Sequence, residues 1–517
     1  MYYFFQFIIK LCLYIFILVL ACNRAEAVSY NDLPLDFRKK WEALLHYKQG
    51  RSLITNSDNY FLDPYGYIDP AGELLETINF FQNTPEGWCV FPARYYLIYG
   101  SLPLNNNCND FKEYTDYVNV EKLSVVFASE DETSPISSMG HVLMMIDGKD
   151  INGIRKKHSF GFVADNSSSL FFDFVTDSIE GRYILSPYSN VIYKYVSEEH
   201  RSLWEYSLNL TREERFLVFL HMFELKNHKI KYSYFSYNCA SGLNQVLGVA
   251  SSSLKYEDYD LFVTPVEYIK YLRNTGKIDG ITVRPSKKDY YYLNDKYAVD
   301  PLSAPPLSRF SVLYRYNNKE RNGLHFNFLP LYSDISEDIW YTSKTNEIQF
   351  LSVSGNINSS HSYVSELKIF DLISLPDIRS DSPNVNLGLS LHGNIDSSHT
   401  QLYPDFRIGT GISCFSYGFV PFLQVTSGLH LEHHGPNLYM IENVGFMLKT
   451  MDWGRLTFFN KYIHASHGRY SGYNNETSLV YSKNIAKNYW VQMNASYYYK
   501  KNNSDFYDIS VGIGFRF

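Results

Sequence analysis

A chain of 517 residues is long enough for more than one domain. Its 47 basic and 54 acidic residues leave a net charge of −7 with no basic tail or stripe, which argues against nucleic acid as a partner. Aromatic residues reach 17%, and the C-terminal part accounts for much of that share.

The chain opens on an apolar run at residues 11–21, behind Lys10 and ahead of Ala25-Glu26-Ala27. This is the pattern of a secretory signal peptide, residues 1–27, cleaved after Ala27. An uncleaved anchor and a lipobox-like ending at Cys22 are the other readings of this stretch. All three take the protein out of the cytoplasm. Cys12 and Cys22 leave with the signal. Of the other four cysteines, Cys89 and Cys108 lie close in sequence and are expected to pair in an oxidising compartment. Cys239 is then left without a local partner, and Cys414 reads as inert filling of a strand.

Residues 28–115 read as a small helical cap. Residues 35–47 put Phe37, Trp41, Leu44 and Leu45 on one helical face, and residues 73–81 form a second helix candidate. The segment WCVFPARYYLIYG follows, and its Arg94 reads as structural or solvated. Residues 116–285 change character. Strands are expected at 123–129, 141–147, 158–164, 170–175 and 191–196, from β-branched and aromatic runs. Thr211 and Glu214 form a capping box whose helix carries the core stripe Phe216, Phe219, Leu220 and Phe223. Thr264-Pro265-Val266-Glu267 starts another helix, with Gly276 as its stop.

Residues 286–517 change again, to amphipathic strands that are clear from about Ala304. In the last strand Tyr507, Ile509, Val511, Ile513, Phe515 and Phe517 face one way, and Asp508, Ser510, Gly512, Gly514 and Arg516 the other. Residues 491–499 repeat the pattern, with Tyr498 the one exception. That is the apolar-out, polar-in alternation of a membrane β-barrel, of some ten to twelve strands for this length. A terminal Phe resembles the signal read by barrel-assembly machinery. A soluble β-sandwich with one buried face is the competing architecture.

The chemistry centres on YFSYNCASGLNQVLG, residues 234–248. Asn238 is a favoured N-cap, and Cys239 falls in the first helical turn, where free N–H groups and the helix dipole favour thiolate. Far upstream, His141 in SPISSMGHVLMMIDG starts a strand and is the candidate base. A hairpin from His141 to residues 158–164 would bring Asp165 opposite the imidazole as an orienting carboxylate, with His158 as runner-up. The order, His before Cys, is permuted relative to papain-like enzymes. On residue type alone, a lone cysteine at a helix start is more often a small buried residue than a nucleophile. No phosphate loop, zinc spacing or dinucleotide fingerprint is present, so no cofactor is inferred. His433, His434, His464 and His467 read as exposed loop histidines, not metal ligands.

SPISSMGHVLMMID, RSLWEYSLNLTREERFLVFLHMFELK and YSYFSYNCASGLNQVL resemble, in order, the motifs of the Lnb N-terminal periplasmic domain family, over about residues 115–275. That resemblance places the family histidine on His141, in a context made by Ser137 and Gly140, and the family cysteine on Cys239 after Asn238. Residues 199–202, Glu-His-Arg-Ser, depart from the arginine–aspartate pair expected before the tryptophan. The resemblance implies an α+β, permuted papain-like (NlpC-type) Cys–His domain between a helical cap and a C-terminal antiparallel transmembrane barrel. It implies a periplasmic acyltransferase or hydrolase in the outer membrane of a Gram-negative bacterium, meeting outer-membrane lipid and acting on a lipoprotein, lipid or peptidoglycan-peptide acyl group. The Lnb transacylases carry transmembrane helices where this chain ends in barrel-like strands, so their specific reaction is not inherited. A non-catalytic channel, assembly or binding protein and a cell-wall amidase are the alternatives.

Overall fold

The computed structural model describes residues 29–517 except 56–58, 104–107, 130–138, 166–178, 234–235, 257–262, 287–299, 304–305, 319–321, 334–335, 337–344, 360–361, 379–383, 397–398, 415–417, 434, 451–452, 466–474 and 500–504. The signal peptide, Ser137, His434, His467 and the strand expected at 170–175 lie outside the described residues. The chain divides into two compact units, one of residues up to 129 and 141–287, the other formed mainly by 288–517.

In the first unit the expected cap and thiol domain are one body. Helix α1 (Leu35–Leu44) buries Trp41, Ala43 and Leu44. Helix α2 (Pro70–Asn83) is capped by Asp69, whose side chain accepts from the N–H groups of Ala71 and Gly72. Helix α3 (Pro92–Tyr99) stops at Gly100, which takes the left-handed conformation at φ 79°. Helix α4 (Asn109–Tyr117) follows. A disulfide joins Cys89 to Cys108, with Cα atoms 5.3 Å apart, and ties the two ends of the α3 segment together.

A seven-stranded antiparallel sheet comes next. Its strands are β1 (Asn119–Ala128), β2 (His141–Lys149), β3 (Arg155–Ala164), β4 (Ile179–Pro187), β5 (Leu203–Leu208), β6 (Lys229–Tyr232) and β7 (Ile278–Arg284), in the order β6-β4-β3-β2-β1-β5-β7. The central strand β2 is buried from Val142 to Asp147 without alternation, because both faces are covered. On one face, Leu143 and Met145 pack with Val126, Ala128, Tyr188, Tyr195 and Leu203. On the other lies helix α6 (Cys239–Gly248), where a Cβ on Gly242 would meet the Phe162 ring. Helices α5 (Arg212–Glu224) and α7 (Pro265–Asn274) begin in full capping boxes at Thr211/Glu214 and Thr264/Glu267.

The strand expected at 191–196 is helical. Residues Tyr188–Ile192 form a short α-helix that runs into a π-helical stretch, Tyr193–Glu198. Tyr188, Val191, Ile192, Tyr195 and Val196 recur at the 3.6-residue period and pack as one stripe on the Leu143/Met145 face. Periodicity overrode the β-propensity of valine, isoleucine and tyrosine.

The second unit is a closed barrel. Its strands are β8 (Arg309–Asn317), β9 (Gly323–Leu329, continued by Leu331–Ser333), β10 (Asn346–Asn358), β11 (Ser362–Ser374), β12 (Asn386–Asp396), β13 (His399–Ser413), β14 (Phe419–Glu432), β15 (Gly435–Thr450), β16 (Gly454–Ala465), β17 (Asn475–Ala486), β18 (Tyr489–Tyr499) and β19 (Phe506–Arg516). Each pairs antiparallel with the next, and β8 pairs with β19, so the twelve strands close without an edge. Cross-strand rows show the outer face. Phe328, Phe310, Phe515 and Tyr489 form an aromatic row near one rim, and Tyr497 and Tyr507 pair near the other. Between them lie Val312, Ile513 and Val491, then Val511 and Met493, then Ile509 and Ala495. An apolar band between aromatic girdles is the exterior of an outer-membrane barrel.

The barrel interior is polar in its middle and packed near one end. Asp371 meets Lys368 at 3.0 Å and Arg407 at 3.1 Å, and Asp405 accepts from Tyr439 at 2.8 Å with His430 at 3.2 Å. Trp490 is 1% exposed, with the Arg516 and Arg309 guanidinium groups 4.5 and 5.0 Å from its ring. Leu375, Val420, Phe422 and Met447 form an apolar cluster inside the same end.

Candidate active site

Asn238 does what its position suggests: its Oδ1 accepts from the N–H groups of Ala240 (3.0 Å) and Ser241 (3.2 Å), capping α6. Its Nδ2 donates to the Val263 carbonyl at 3.0 Å, so the cap is held from both sides. Cys239 is therefore the first residue of a fixed helix. The segment before it is clasped from the cap: Lys48 Nζ donates to the Ser236 carbonyl at 2.5 Å, and His46 Nδ1 meets the Tyr237 hydroxyl at 2.9 Å.

The structure brings Cys239 and His141 to the same end of the sheet. The Val142 N–H, belonging to the residue after His141, interacts with the Cys239 thiol, as do the N–H groups of Ala240 and of Cys239 itself. The thiol is nonetheless buried at 6% exposure, and burial pushes it up to about 11 against those donors and the Arg201 charge. The helix N-terminus alone does not make it a resting thiolate, because desolvation of the anion is the larger effect. His141 shares its face of β2 with Leu143 and Met145. Its ring lies against Tyr195, 6.1 Å between centroids. Burial, then the Arg201 and Lys194 charges, hold the imidazole down at about 3. Both groups are neutral at rest.

Asp165 is not at His141. Its carboxylate pairs with Arg182 Nε at 2.9 Å on the solvent side, and its N–H donates to the Glu180 carbonyl at 2.8 Å. Strand β3 pairs on its far side with β4, which puts Arg182 opposite Val163 and within reach of Asp165. His158, the runner-up, pairs with Ile146 further along the hairpin and packs on Tyr117 at 4.4 Å. The groups that do surround His141 are Tyr195, Lys194 and Arg201. Their signal in the sequence was the helical stripe through Tyr188 and Tyr195, hidden under a β-rich composition.

A buried polar chain runs from the cap into this unit. Arg94, fully buried, donates through Nη1 to Glu73 at 2.6 Å and through Nη2 to the Tyr60 carbonyl at 2.8 Å. Glu224 accepts from the N–H groups of Ala93 and Arg94. His221, three residues before Glu224, meets His46 at 3.1 Å between Nε2 atoms, and His46 reaches Tyr237. Arg94 is thus a structural residue, and the cap is wired to the segment that carries Cys239. Among the described residues no group of His, Cys, Asp and Glu is arranged to hold a metal ion.

Two parts of the first unit match known families. Residues 110–275 match the Lnb N-terminal periplasmic domain family, and residues 34–100 match a domain of unknown function, DUF7843. No curated protein matches the chain. Among solved structures, the NanC porin is similar over 41% of this chain and 100% of its own, at 8% identity and TM-score 0.26. Outer membrane phospholipase A from Escherichia coli is similar over 43% and 95%, at 12% identity and TM-score 0.24. An OmpT loop-deletion mutant from Vibrio cholerae is similar over 40% and 97%, at 10% identity and TM-score 0.22. The assignment of the second unit rests on its own closure, alternation and girdles. Residues 110–275 match an Lnb N-terminal periplasmic domain, in a chain whose last twelve strands form a closed β-barrel with the apolar band and aromatic girdles of an outer-membrane protein.

Proposed function

We propose that the protein is a periplasmic cysteine acyltransferase or hydrolase, of permuted papain-like design, anchored by its barrel in the outer membrane. The observation that carries this reading is Cys239 at the head of an Asn238-capped helix, with the N–H of Val142 at its thiol and His141 as the preceding residue. Attack on an ester or amide carbonyl forms an S–C bond. The thiol proton passes around the start of β2, through a bridging water, to His141, whose ring lies on the opposite face of the strand, and on to the departing oxygen or nitrogen as the carbonyl–heteroatom bond breaks. A water or amine then releases the acyl group from the thioester. The N–H groups of Val142 and Cys239 are the candidate donors to the developing oxyanion. Because thiol and imidazole are both neutral at rest, the proton moves as the carbonyl is attacked, not beforehand. The acyl donor belongs to the lipid, lipoprotein or cell-wall peptide classes found beside an outer membrane.

The test is labelling of the detergent-solubilised protein with a fluorescent acyl-thiol probe, comparing wild type with Cys239→Ala and His141→Ala. Label lost in the first and slowed about a hundredfold or more in the second supports the nucleophile. Slow, equal labelling of wild type and His141→Ala would leave an ordinary buried thiol. The raised thiol would then count for a binding role, and ligand capture rather than turnover would be the measurement to pursue.

A further inference from the structure

We propose that the third member of the site is not a carboxylate but an aromatic ring backed by a guanidinium: Tyr195 and Arg201 position His141. This inference rests on the nucleophile reading above. Tyr195 is 8% exposed and its ring lies against the imidazole. Arg201 stacks on the same ring, its Cζ 4.8 Å from the centroid, and Lys194 Nζ stands 5.5 Å from it. The Tyr195 ring is thus the shared neighbour of the imidazole and the guanidinium.

Arg201 is itself fixed from several directions. It is 3% exposed, and its Nε donates to the Ser129 carbonyl at 2.5 Å, its Nη2 to the Ala128 carbonyl at 3.3 Å and its Nη1 to Glu199 Oε2 at 2.8 Å. Ala128 is the residue paired directly across from His141, and Leu203 is paired across from Ala128. The guanidinium thus pins the end of the strand beside the histidine. Two backbone features concentrate here. Residues Tyr193–Glu198 are π-helical, and His200 holds φ 54°, a conformation that non-glycine residues rarely adopt. The Arg201 N–H donates to the Tyr195 carbonyl at 2.8 Å, closing the π-turn into one rigid piece.

The consequence is chemical. An aspartate behind a histidine stabilises imidazolium, whereas Arg201 and Lys194 oppose it. A proton accepted from Cys239 is then passed on quickly, which suits a base that must also act as acid to a poor leaving group. The charges that act on the ring are Arg201 and Lys194, with Tyr195 against it and Glu199 paired to both cations, at 2.8 Å from Arg201 and 3.8 Å from Lys194.

The experiment is the pH dependence of Cys239 acylation by the same probe, read by intact mass on the full chain in detergent. The proteins are wild type, Tyr195→Phe, Tyr195→Leu, Arg201→Met and Arg201→Lys, with circular dichroism as the folding check. Tyr195→Phe keeps the ring and is expected within about twofold of wild type. Tyr195→Leu loses it and should slow acylation about tenfold, a fraction of what a general base supplies. Arg201→Met should move the acid limb of the profile to higher pH, and Arg201→Lys, which keeps the charge, should restore that limb. If Arg201→Met fails to fold, Tyr195→Leu carries the test. Profiles that superimpose on wild type in Tyr195→Leu and, where it folds, in Arg201→Met would overturn the proposal while leaving the nucleophile intact. Loss of the His141 dependence in wild type would instead overturn the nucleophile.

Discussion

The two units are both antiparallel sheets, and they are inside out relative to one another. In the last barrel strand alternation is strict: Val511 and Ile513 face outward while Ser510 and Arg516 are buried in the lumen. In the seven-stranded sheet, β2 is buried on both faces and alternation disappears. The difference lies in what each face meets, which is lipid and lumen in one case and two layers of protein in the other. Both units nevertheless bury charge. The barrel does so in a broad lumen network around Asp371 and Asp405, and the first unit does so in a narrow chain from Glu73 to Tyr237. A narrow chain offers fewer substitute partners, and that is the first place to break the comparison.

Arg94→Ala removes the guanidinium between Glu73 and Glu224, both fully buried, and is expected to destabilise the first unit by about 3–5 kcal/mol. Hydrogen exchange of Cys239–Gly248 in the full chain reports this loss separately from the barrel. A change under about 1 kcal/mol would mean that water or a rearranged partner reaches the site. The next effect tests which medium each exterior meets. Val511 and Ile281 are exposed to similar degrees, 48% and 44%. Val511→Arg, in the apolar band, should cost about 2–4 kcal/mol of barrel stability or block its assembly, and Ile281→Arg, on the edge strand of the other sheet, less than about 0.5 kcal/mol. Equal small effects would show that the barrel exterior meets water.

Much of this was legible in the sequence, because it rests on local chemistry. Asn238, the Thr211 and Thr264 caps, Pro265 and the alternation of 507–517 specify their structures through neighbours a few residues away. The Cys89–Cys108 pair was likewise close in sequence. What was not legible depended on register and burial. A simple hairpin puts Asp165 beside His141, but β4 lies on the far side of β3 and supplies Arg182 as its partner. Tyr195 was hidden because a run of valine, isoleucine and tyrosine reads as strand until its period is counted. The thiol was expected to be lowered by the helix end. Only the packed structure shows that burial outweighs it.

The pH dependence of the first unit follows from its buried neutral groups. His46, His141 and His221 are all held below their ordinary range, first by burial. Their stabilising contribution is present above about pH 6.5 and is lost as pH falls from there toward 3. Glu224, raised to about 7 by burial, works the other way: its contribution is present below about 4.5 and is lost as pH rises through 7. Glu73 is raised too, with the same sign. The two trends oppose between about pH 4.5 and 6.5; below 4.5 the histidines act unopposed, joined by Asp36 and Asp150, whose carboxyls are held below their ordinary range. Unfolding of this unit is therefore expected to become steeply acid-sensitive below about pH 4.5. Flat stability from pH 6 to pH 3.5 would mean that these histidines are protonated in the folded state.

The smallest effect separates a cap that stabilises from a cap that positions. Asp69 and Asn238 both cap helices through two backbone N–H groups, but Asp69 is at the surface and Asn238 is 6% exposed with a further bond to Val263. Asp69→Ala should cost about 0.5–1 kcal/mol and leave probe acylation of Cys239 unchanged. Asn238→Ala should cost about 1–2 kcal/mol, since it also strands the Val263 carbonyl, and should slow acylation beyond what the stability loss explains. Asn238→Asp keeps the acceptor for Ala240 and Ser241 but sets a negative charge beside the thiol, so it should retain stability better than alanine and acylate more slowly than wild type. If Asn238→Asp acylates at the wild-type rate, the electrostatics at the head of α6 are not what governs the thiol, and the N–H of Val142 becomes the donor to examine next.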